Sequence, residues 1–322
     1  MNQIEVTVSI ITYAHEKYIK QCLDSVFAQE TDFVFQVIVA EDASPDNTRQ
    51  ILLEYKEKYG DQLILILHDN NLGPSANNAS IIPFIKGKYV AIIEGDDCWT
   101  DKKKLQKQYD FLENHSEYSA VACDVMSINT NNEVISRKKL RLKKDIVKTM
   151  HNWLNEPYSV HTCTIFHRNI FPTCDPKYKR LRECAPTMGD IITFTLLYEY
   201  GPIYVMKEVM AAHREAGEND TSSYSVKSKK NPIQYAKIHL SIFSNLEKYY
   251  DYKYDFTKRK CIKIASLRKG RLRRLYSFSN SEIDVIESQF PIKWRIYIRF
   301  RVYKMLFMDI YRKVRRTLED GR

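Results

Sequence analysis

The sequence has no Cys-x-x-Cys pair. Its seven cysteines stand at 22, 98, 123, 163, 174, 184 and 261. That scatter fits neither a zinc cage nor a disulfide framework, and the odd count is what a reducing cytoplasm permits. The cysteines are expected to act as small buried apolar residues. No run of about 18 apolar residues occurs, so no helix is expected to cross a bilayer. Met1–Glu5 carries neither the basic nor the apolar region of a signal peptide, and none is expected. Nine glycines in 322 residues, with 44% hydrophobic residues, exclude a linker-rich or disordered chain. The usual glycine cradles are missing too. There is no Gly-x-Gly-x-x-Gly after the first apolar run and no Gly-x-x-x-x-Gly-Lys-Ser/Thr anywhere. A diphosphate held by this chain must be neutralised by a metal or by Arg and Lys.

What is present is divided unevenly. The net charge of +10 splits into 25 Lys and Arg against 31 Asp and Glu over residues 1–226, and 25 against 9 over 227–322. The two parts therefore face different electrostatic partners. The change falls in Asp220–Lys230, a Ser- and Lys-rich stretch without apolar periodicity that reads as a loop or linker.

Short apolar runs alternate with helical patterns through the first part. Val6–Ile11, Phe35–Ala40, Leu63–Leu67, Tyr89–Ile93 and Ala120–Cys123 read as strands. Between them lie a helix with Ile19, Cys22, Leu23 and Val26 on one face, and a helix carrying Ile51, Leu52, Tyr55 and Tyr59 that stops at Gly60. Ser44 and Asp46 offer caps for the latter. A helix over Asn77–Ile85 and another after Asp101, with Leu105, Tyr109 and Leu112 aligned, complete the set. This alternation predicts an α/β, mostly parallel, doubly wound sheet. Ligands bind such sheets beyond the carboxyl ends of the strands. Those ends carry Thr12-Tyr13-Ala14-His15, Glu41-Asp42-Ala43-Ser44 and Glu94-Gly95-Asp96-Asp97. Three carboxylates within four residues repel one another and are costly to bury without a cation. Carboxylate oxygens suit Mg²⁺ or Mn²⁺ shared with substrate phosphates. A solvated acidic loop before the next helix is the plainer alternative.

The succession SIITYAHEKYIKQCLDSVFAQ, VIVAEDASPDNT, NNLG, KGKYVAIIEGDDCW and LQKQYDFLE resembles the N-terminal half of a family 2 glycosyltransferase of the Rossmann-like GT-A fold, from about Val6 to Leu112. The resemblance implies an inverting, divalent-metal-dependent enzyme (Mn²⁺ or Mg²⁺) that uses a UDP- or dTDP-linked sugar. It implies that Asp42 accepts a hydrogen bond from the uracil ring, with Thr12 and Tyr13 beside the base. Asp96 would touch the ribose or metal, and Asp97 would ligate the metal on the diphosphate. Ala14 stands where many members have Asn, and Glu94 where many have Asp. The expected organisation is a catalytic domain over 1–226, with a nucleotide-sugar half (1–120) and an acceptor half (121–226), then a basic, mainly helical region over 227–322.

Sugar transfer also needs a base for the acceptor hydroxyl. Thr187-Met188-Gly189-Asp190, the apolar run Ile191–Tyr200, and the later Glu208–Arg214 are similar to the family's Gly-Asp element, helix and Tyr-Arg-x-His-like motif. On that match Asp190 is the general base. Without the resemblance, Asp190 also makes a reasonable helix N-cap. Arg214 matches the family's Arg and would meet the donor diphosphate or the acceptor. His213 stands where Tyr is common and serves as a ligand there or simply as a packing histidine. His15, His161 and His167 show no ligand spacing, and no role is assigned to them.

In Pro291–Arg322, Ile296, Phe300, Tyr303, Phe307, Ile310, Val314 and Leu318 fall on one helical stripe, with Arg301, Lys304, Arg312, Arg315 and Arg316 away from it. Such a helix either lies in an anionic membrane interface or packs its stripe on the catalytic domain. Nucleic acid is not expected as a partner, because the acidic first part would repel phosphate backbones and no binding motif is present. The sequence thus predicts a cytoplasmic glycosyltransferase, peripheral at the inner face of the cell membrane. Its expected partners are a nucleotide-sugar donor and a saccharide or lipid-linked acceptor of polysaccharide or glycan biosynthesis. A nucleotidyltransferase of related fold, or a non-catalytic nucleotide-binding or membrane-adaptor protein, are the alternatives.

Overall fold

The computed structural model describes residues 3–157, 160–217, 224–272 and 280–320, without the side chains of 173–175, 224, 271–272, 280 and 312–320. The chain forms two units, Met1–Trp153 with Tyr158–Ser222, and Leu154–Pro157 with Ser223–Arg322.

The chain runs through β1 (Ile4–Thr12), α1 (Ile19–Phe27), β2 (Val34–Glu41), α2 (Thr48–Tyr59), β3 (Leu63–Leu67), α3 (Pro74–Ile81), β4 (Tyr89–Glu94), β5 (Cys98–Trp99) and α4 (Lys104–Asn114). It continues through β6 (Ala120–Ile128), β7 (Val134–Ser136), β8 (Ile146–Lys148), α5 (Met150–Asn155), β9 (Phe166–Arg168), α6 (Phe171–Cys184), α7 (Gly189–Tyr200) and β10 (Ile203–Arg214). The strands form one sheet in the order β3-β2-β1-β4-β9-β6-β10-β5, with β7 beside β6 and β8 beside β10. β1 pairs in parallel with β2 and β4, β2 with β3, and β6 with β10. The short β9 runs antiparallel between β4 and β6. The expected mostly parallel α/β sheet is present.

Each face of the sheet is covered as the residue alternation requires. Val6, Val8 and Ile10 point to the side that receives Ile19, Cys22, Leu23 and Val26 of α1, all four fully buried. Ile38 and Ala40 face the opposite side, where Ile81 of α3 packs. α3 starts at Pro74 rather than Asn77, because a proline fits the first helical turn without losing a hydrogen bond. α7 is buried almost all round, from Ile191 to Tyr198. A helix apolar on every side belongs inside a domain.

The second unit contains α8 (Tyr224–Lys230), α9 (Pro232–Tyr249), α10 (Thr257–Leu272), α11 (Asn280–Ser288) and α12 (Ile292–Asp320). Its core gathers Ala236, Cys261, Ile264, Ile283, Ile298 and Val302. The stretch read as a loop is helical from Tyr224 onward. Val226 is buried, and Lys227, Lys229 and Lys230 occupy the last turn, where cations favour the helix dipole. The rest of that stretch, up to residue 223, lies outside the described residues. So do the side chains of Val314, Leu318, Arg312, Arg315 and Arg316.

Candidate functional site

Parallel pairing brings the three polar strand ends side by side. Thr12 pairs with Glu41, and Ile11 pairs with Glu94. The Asp42 N–H donates to the Thr12 carbonyl and the Gly95 N–H to the Ile11 carbonyl, so both following loops leave the sheet at one edge.

The loop after β1 is clamped by the loop after β2. The N–H groups of Ala14, His15 and Glu16 donate to Ser44 Oγ, Thr48 Oγ1 and Asp46 Oδ2 at 3.0, 2.9 and 3.1 Å. Ser44 is spent on the β1 loop, whereas Asp46 Oδ1 still accepts from the N–H of Thr48, the first residue of α2, at 3.0 Å. Asn47 occupies the N-cap position and makes no capping bond with its own side chain. Partial burial would raise the Asp46 carboxyl, but hydrogen bonds from the Thr48 hydroxyl and from the N–H groups of Glu16 and Thr48 outweigh it and hold it below the usual range. Ala14 and Ala43 both have φ of 57°. This left-handed region favours Gly and Asn, which explains why an Asn suits position 14. Thr12 is buried, with Oγ1 at 3.2 Å from His15 Nδ1, and Tyr13 beside it is half-buried.

Asp42 is 2% exposed, and both its oxygens are taken. Oδ1 accepts from Leu72 N–H at 2.7 Å and Oδ2 from Gly73 N–H at 2.9 Å. These two bonds hold the 71–73 loop against the end of β2, as a buried carboxylate must be paired. Glu41, fully buried, is held likewise by Ser44 N–H and by the Arg49 guanidinium.

Gly95 lets the acidic loop close on the β1 loop. A Cβ there would stand 2.6 Å from Thr12 Oγ1 and 2.9 Å from His15 Nδ1. Asp97 is 3% exposed. Its Oδ1 accepts from the Arg214 N–H at 2.8 Å, and His213 Nδ1 lies 3.3 Å away. Burial raises the Asp97 carboxyl, but His213, the Arg214 N–H and the Cys163 thiol together bring it below its ordinary value. The Asp96 side chain is 31% exposed, with His15 Nε2 at 4.0 Å. Its carboxyl is pushed up, first by desolvation and then by Asp97, against the opposing pull of His15 and His213. Glu94 is raised further, by burial, then Asp97 and Asp96, with Asp190 adding to the repulsion. Asp190 thus stands within electrostatic reach of the cluster. It lies in the first turn of α7, where an acid favours the helix dipole, and not at the N-cap, which is Met188. Neighbouring Gly189 faces Ser75 and Asn78 of α3.

Arg214 is 3% exposed and its guanidinium is spent inside the protein. Nε donates to the Asp96 carbonyl, one terminal nitrogen to Asn129 O and Asn132 Oδ1, and the other to Gln21 Oε1, at 2.7–2.9 Å. The plane also lies over the Tyr18 ring at 4.4 Å. These bonds brace the acidic loop, because buried donors go to the nearest fixed acceptors. His213 is half-buried and its ring packs 4.4 Å from that of His161, which burial pulls down to about 3.

Sequence reasoning left out His15, His161, Gln21 and Tyr18. The position of His15 at a strand end was the only signal for it. Gln21 and Arg214 are 193 residues apart, and nothing local links them. Among the described residues, no three His, Cys, Asp or Glu side chains close around a metal ion by themselves. Asp96 and Asp97 form a two-carboxylate set of hard oxygens, which suits a cation completed by substrate phosphates and water.

The model of the glycosyl transferase family 2 matches residues 7–174, just over half of the chain. The chain belongs to this family. An uncharacterized protein of Mycobacterium tuberculosis is 43% identical over 107 residues, 33% of this chain and 31% of that protein. An uncharacterized glycosyltransferase of Methanocaldococcus jannaschii is 30% identical over 141 residues, 43% of this chain and 48% of that protein. The putative teichuronic acid biosynthesis glycosyltransferase TuaG of Bacillus subtilis is 34% identical over 107 residues, 33% of this chain and 41% of that protein. This family 2 chain therefore spans less than half the length of these curated relatives. Its fold is shared with S. aureus TarS 1–349 in complex with UDP-GlcNAc, at a TM-score of 0.57 and 18% identity, over 92% of this chain and 79% of that one.

Proposed function

We propose that this family 2 chain transfers a sugar, with inversion, from a UDP-linked donor to a hydroxyl of a saccharide or lipid-linked acceptor in the assembly of a polysaccharide or related glycan. The observation that carries the reading is the meeting of the β1, β2 and β4 ends at one edge, with the start of α7, where Asp190 stands, beside Ser75 and Asn78 of α3. The UDP-GlcNAc in TarS and the teichuronic acid pathway named for TuaG support the donor and product classes.

The uridine base lies beside Thr12 and Tyr13, with Asp42, which also holds the 71–73 loop, accepting a hydrogen bond from the uracil ring. Asp97 and Asp96 would hold a Mg²⁺ or Mn²⁺ ion, which when bound neutralises the diphosphate. Arg214 and His213 fix the direction of the Asp97 carboxylate. Asp190 takes the proton of the acceptor hydroxyl as its oxygen attacks the anomeric carbon. That C–O bond forms as the bond from the anomeric carbon to the β-phosphate oxygen breaks, and the electron pair leaves with UDP. The transition state has oxocarbenium character, as in glycoside hydrolysis.

UDP release from a panel of UDP-sugars, measured with Mn²⁺ and again with excess EDTA, tests the reading. Release that requires the metal is the expected result. Full release in EDTA contradicts the metal role, and no release from any donor contradicts the transferase reading.

A further inference from the structure

α12 has two apolar faces, and only one is covered. Ile298 and Val302, with Met305 and Leu306 beside them, pack into the core of the helical unit. Asp309, on that same side, pairs with Lys269 of α10 at 2.7 Å. On the opposite side Ile292, Ile296, Phe300, Tyr303, Phe307 and Ile310 are each 62–71% exposed. At about 100° per residue these six fall within a single strip of about 80° along the helix. The core of the helical unit is filled by the other face, so the strip takes no part in it.

The charges beside the strip say what covers it. Lys293 and Lys304 flank it on one side, and Arg295 and Arg299 on the other. Lys293, Arg299 and Lys304 are exposed. Within Ile292–Tyr311 the one acidic residue of the helix is Asp309, which is turned to the core side. Arg299 also pairs with Glu287 of α11 at 3.4 Å, so Lys293, Lys304 and Arg295 carry most of the flanking charge. A second copy of the helix would bring basic flanks against basic flanks. An anionic bilayer surface offers an apolar boundary for the strip and negative headgroups for both flanks. Phe and Tyr suit the headgroup boundary, where an apolar ring and a polar edge are both served. No described helix is long and apolar enough to cross a membrane. At 29 residues, or about 44 Å, α12 is long enough to lie along one.

We infer that α12 docks the protein on anionic lipid through the Ile296–Ile310 strip, lying in the plane of the interface. The inference rests on no step of sugar transfer, and lipid binding is read separately from UDP release.

The test is cosedimentation of the full chain with vesicles of phosphatidylcholine alone and of phosphatidylcholine with phosphatidylglycerol. The protein pellets with the second and stays in solution with the first. Salt at 1 M releases it, because the Debye length falls from about 10 Å at 0.1 M to about 3 Å. Phe300→Ser with Phe307→Ser weakens partitioning at least about tenfold, given the apolar area each ring buries. Should that variant fail to fold, Lys293→Glu with Lys304→Glu keeps the strip and abolishes the preference for phosphatidylglycerol. A full chain that ignores both vesicle types overturns the inference. So does lipid binding untouched by either variant in folded form, or a lipid-free dimer that the Phe variant dissolves.

Discussion

In the helical unit the ion pairs join neighbouring helices: Lys260 of α10 to Glu247 of α9, Arg268 to Glu287 of α11, and Lys269 to Asp309 of α12. In the α/β unit the bonds that matter most join loops distant in sequence, such as Arg214 to Gln21 and to Asn132, or Asp42 to the 71–73 loop. The first arrangement fixes helices and leaves one apolar face bare. The second leaves the apolar core to the sheet and spends buried polar groups on holding strand-end loops still. A catalytic edge needs its groups positioned to a fraction of an ångström, and polar bonds from several segments supply that. A docking face needs only exposed apolar residues of the right chemistry. The difference predicts that mutations in the two units act on different observables.

The largest effect is expected at Asp97. Asp97→Asn keeps an acceptor for the Arg214 N–H but removes a charged oxygen from the proposed metal set, so turnover should be lost with little change in melting temperature. A steady-state assay beside a melting curve checks both halves. Gly95→Ala comes next. Its Cβ must displace Thr12 or His15, which should cost about 1–3 kcal/mol of stability and lower turnover together, because the two loops move apart.

The third prediction sets the units directly against each other. Leu23→Ala opens a cavity in the α/β core and should cost about 2–5 kcal/mol in denaturant unfolding. Phe300→Ala, a larger truncation on the exposed strip, should stay within about 0.5 kcal/mol. Equal losses would mean that the strip is packed after all.

The smallest effect concerns pH. Asp46 in the folded chain lies below its ordinary value of about 3.9, so it stabilises the fold above that pH, and the contribution is lost as the pH falls through its depressed value. The melting-temperature gap between wild type and Asp46→Asn should therefore be present at neutral pH and shrink below about pH 4. A gap independent of pH would remove Asp46 from the clamp on the β1 loop.

Much of the α/β architecture was legible because it is written in local patterns. The apolar face of α1 and the strands from β1 to β4 follow residue alternation, and parallel pairing then forces their polar ends together. What sequence reasoning missed depends on distant partners. Ser44 looks like a helix cap in its own neighbourhood, yet it serves a residue 30 positions away, and Asp46 divides itself between such a residue and the start of α2. Arg214 finds side-chain acceptors 82 and 193 residues away. The strip on α12 was visible as a period, but which of its two apolar faces meets the core was not. Ile298 and Val302 form the sparser pattern, and they are the buried ones.

The central claim is that Asp190, at the start of α7, works with the acidic edge as the base of a transfer reaction. Asp190→Asn preserves the side chain's size, so the measurement is UDP affinity by calorimetry with Mn²⁺ beside the rate of transfer. Unchanged affinity with a rate lowered by roughly 10²–10⁴-fold is predicted. A wild-type rate would contradict the account, and another residue would then have to take the acceptor's proton.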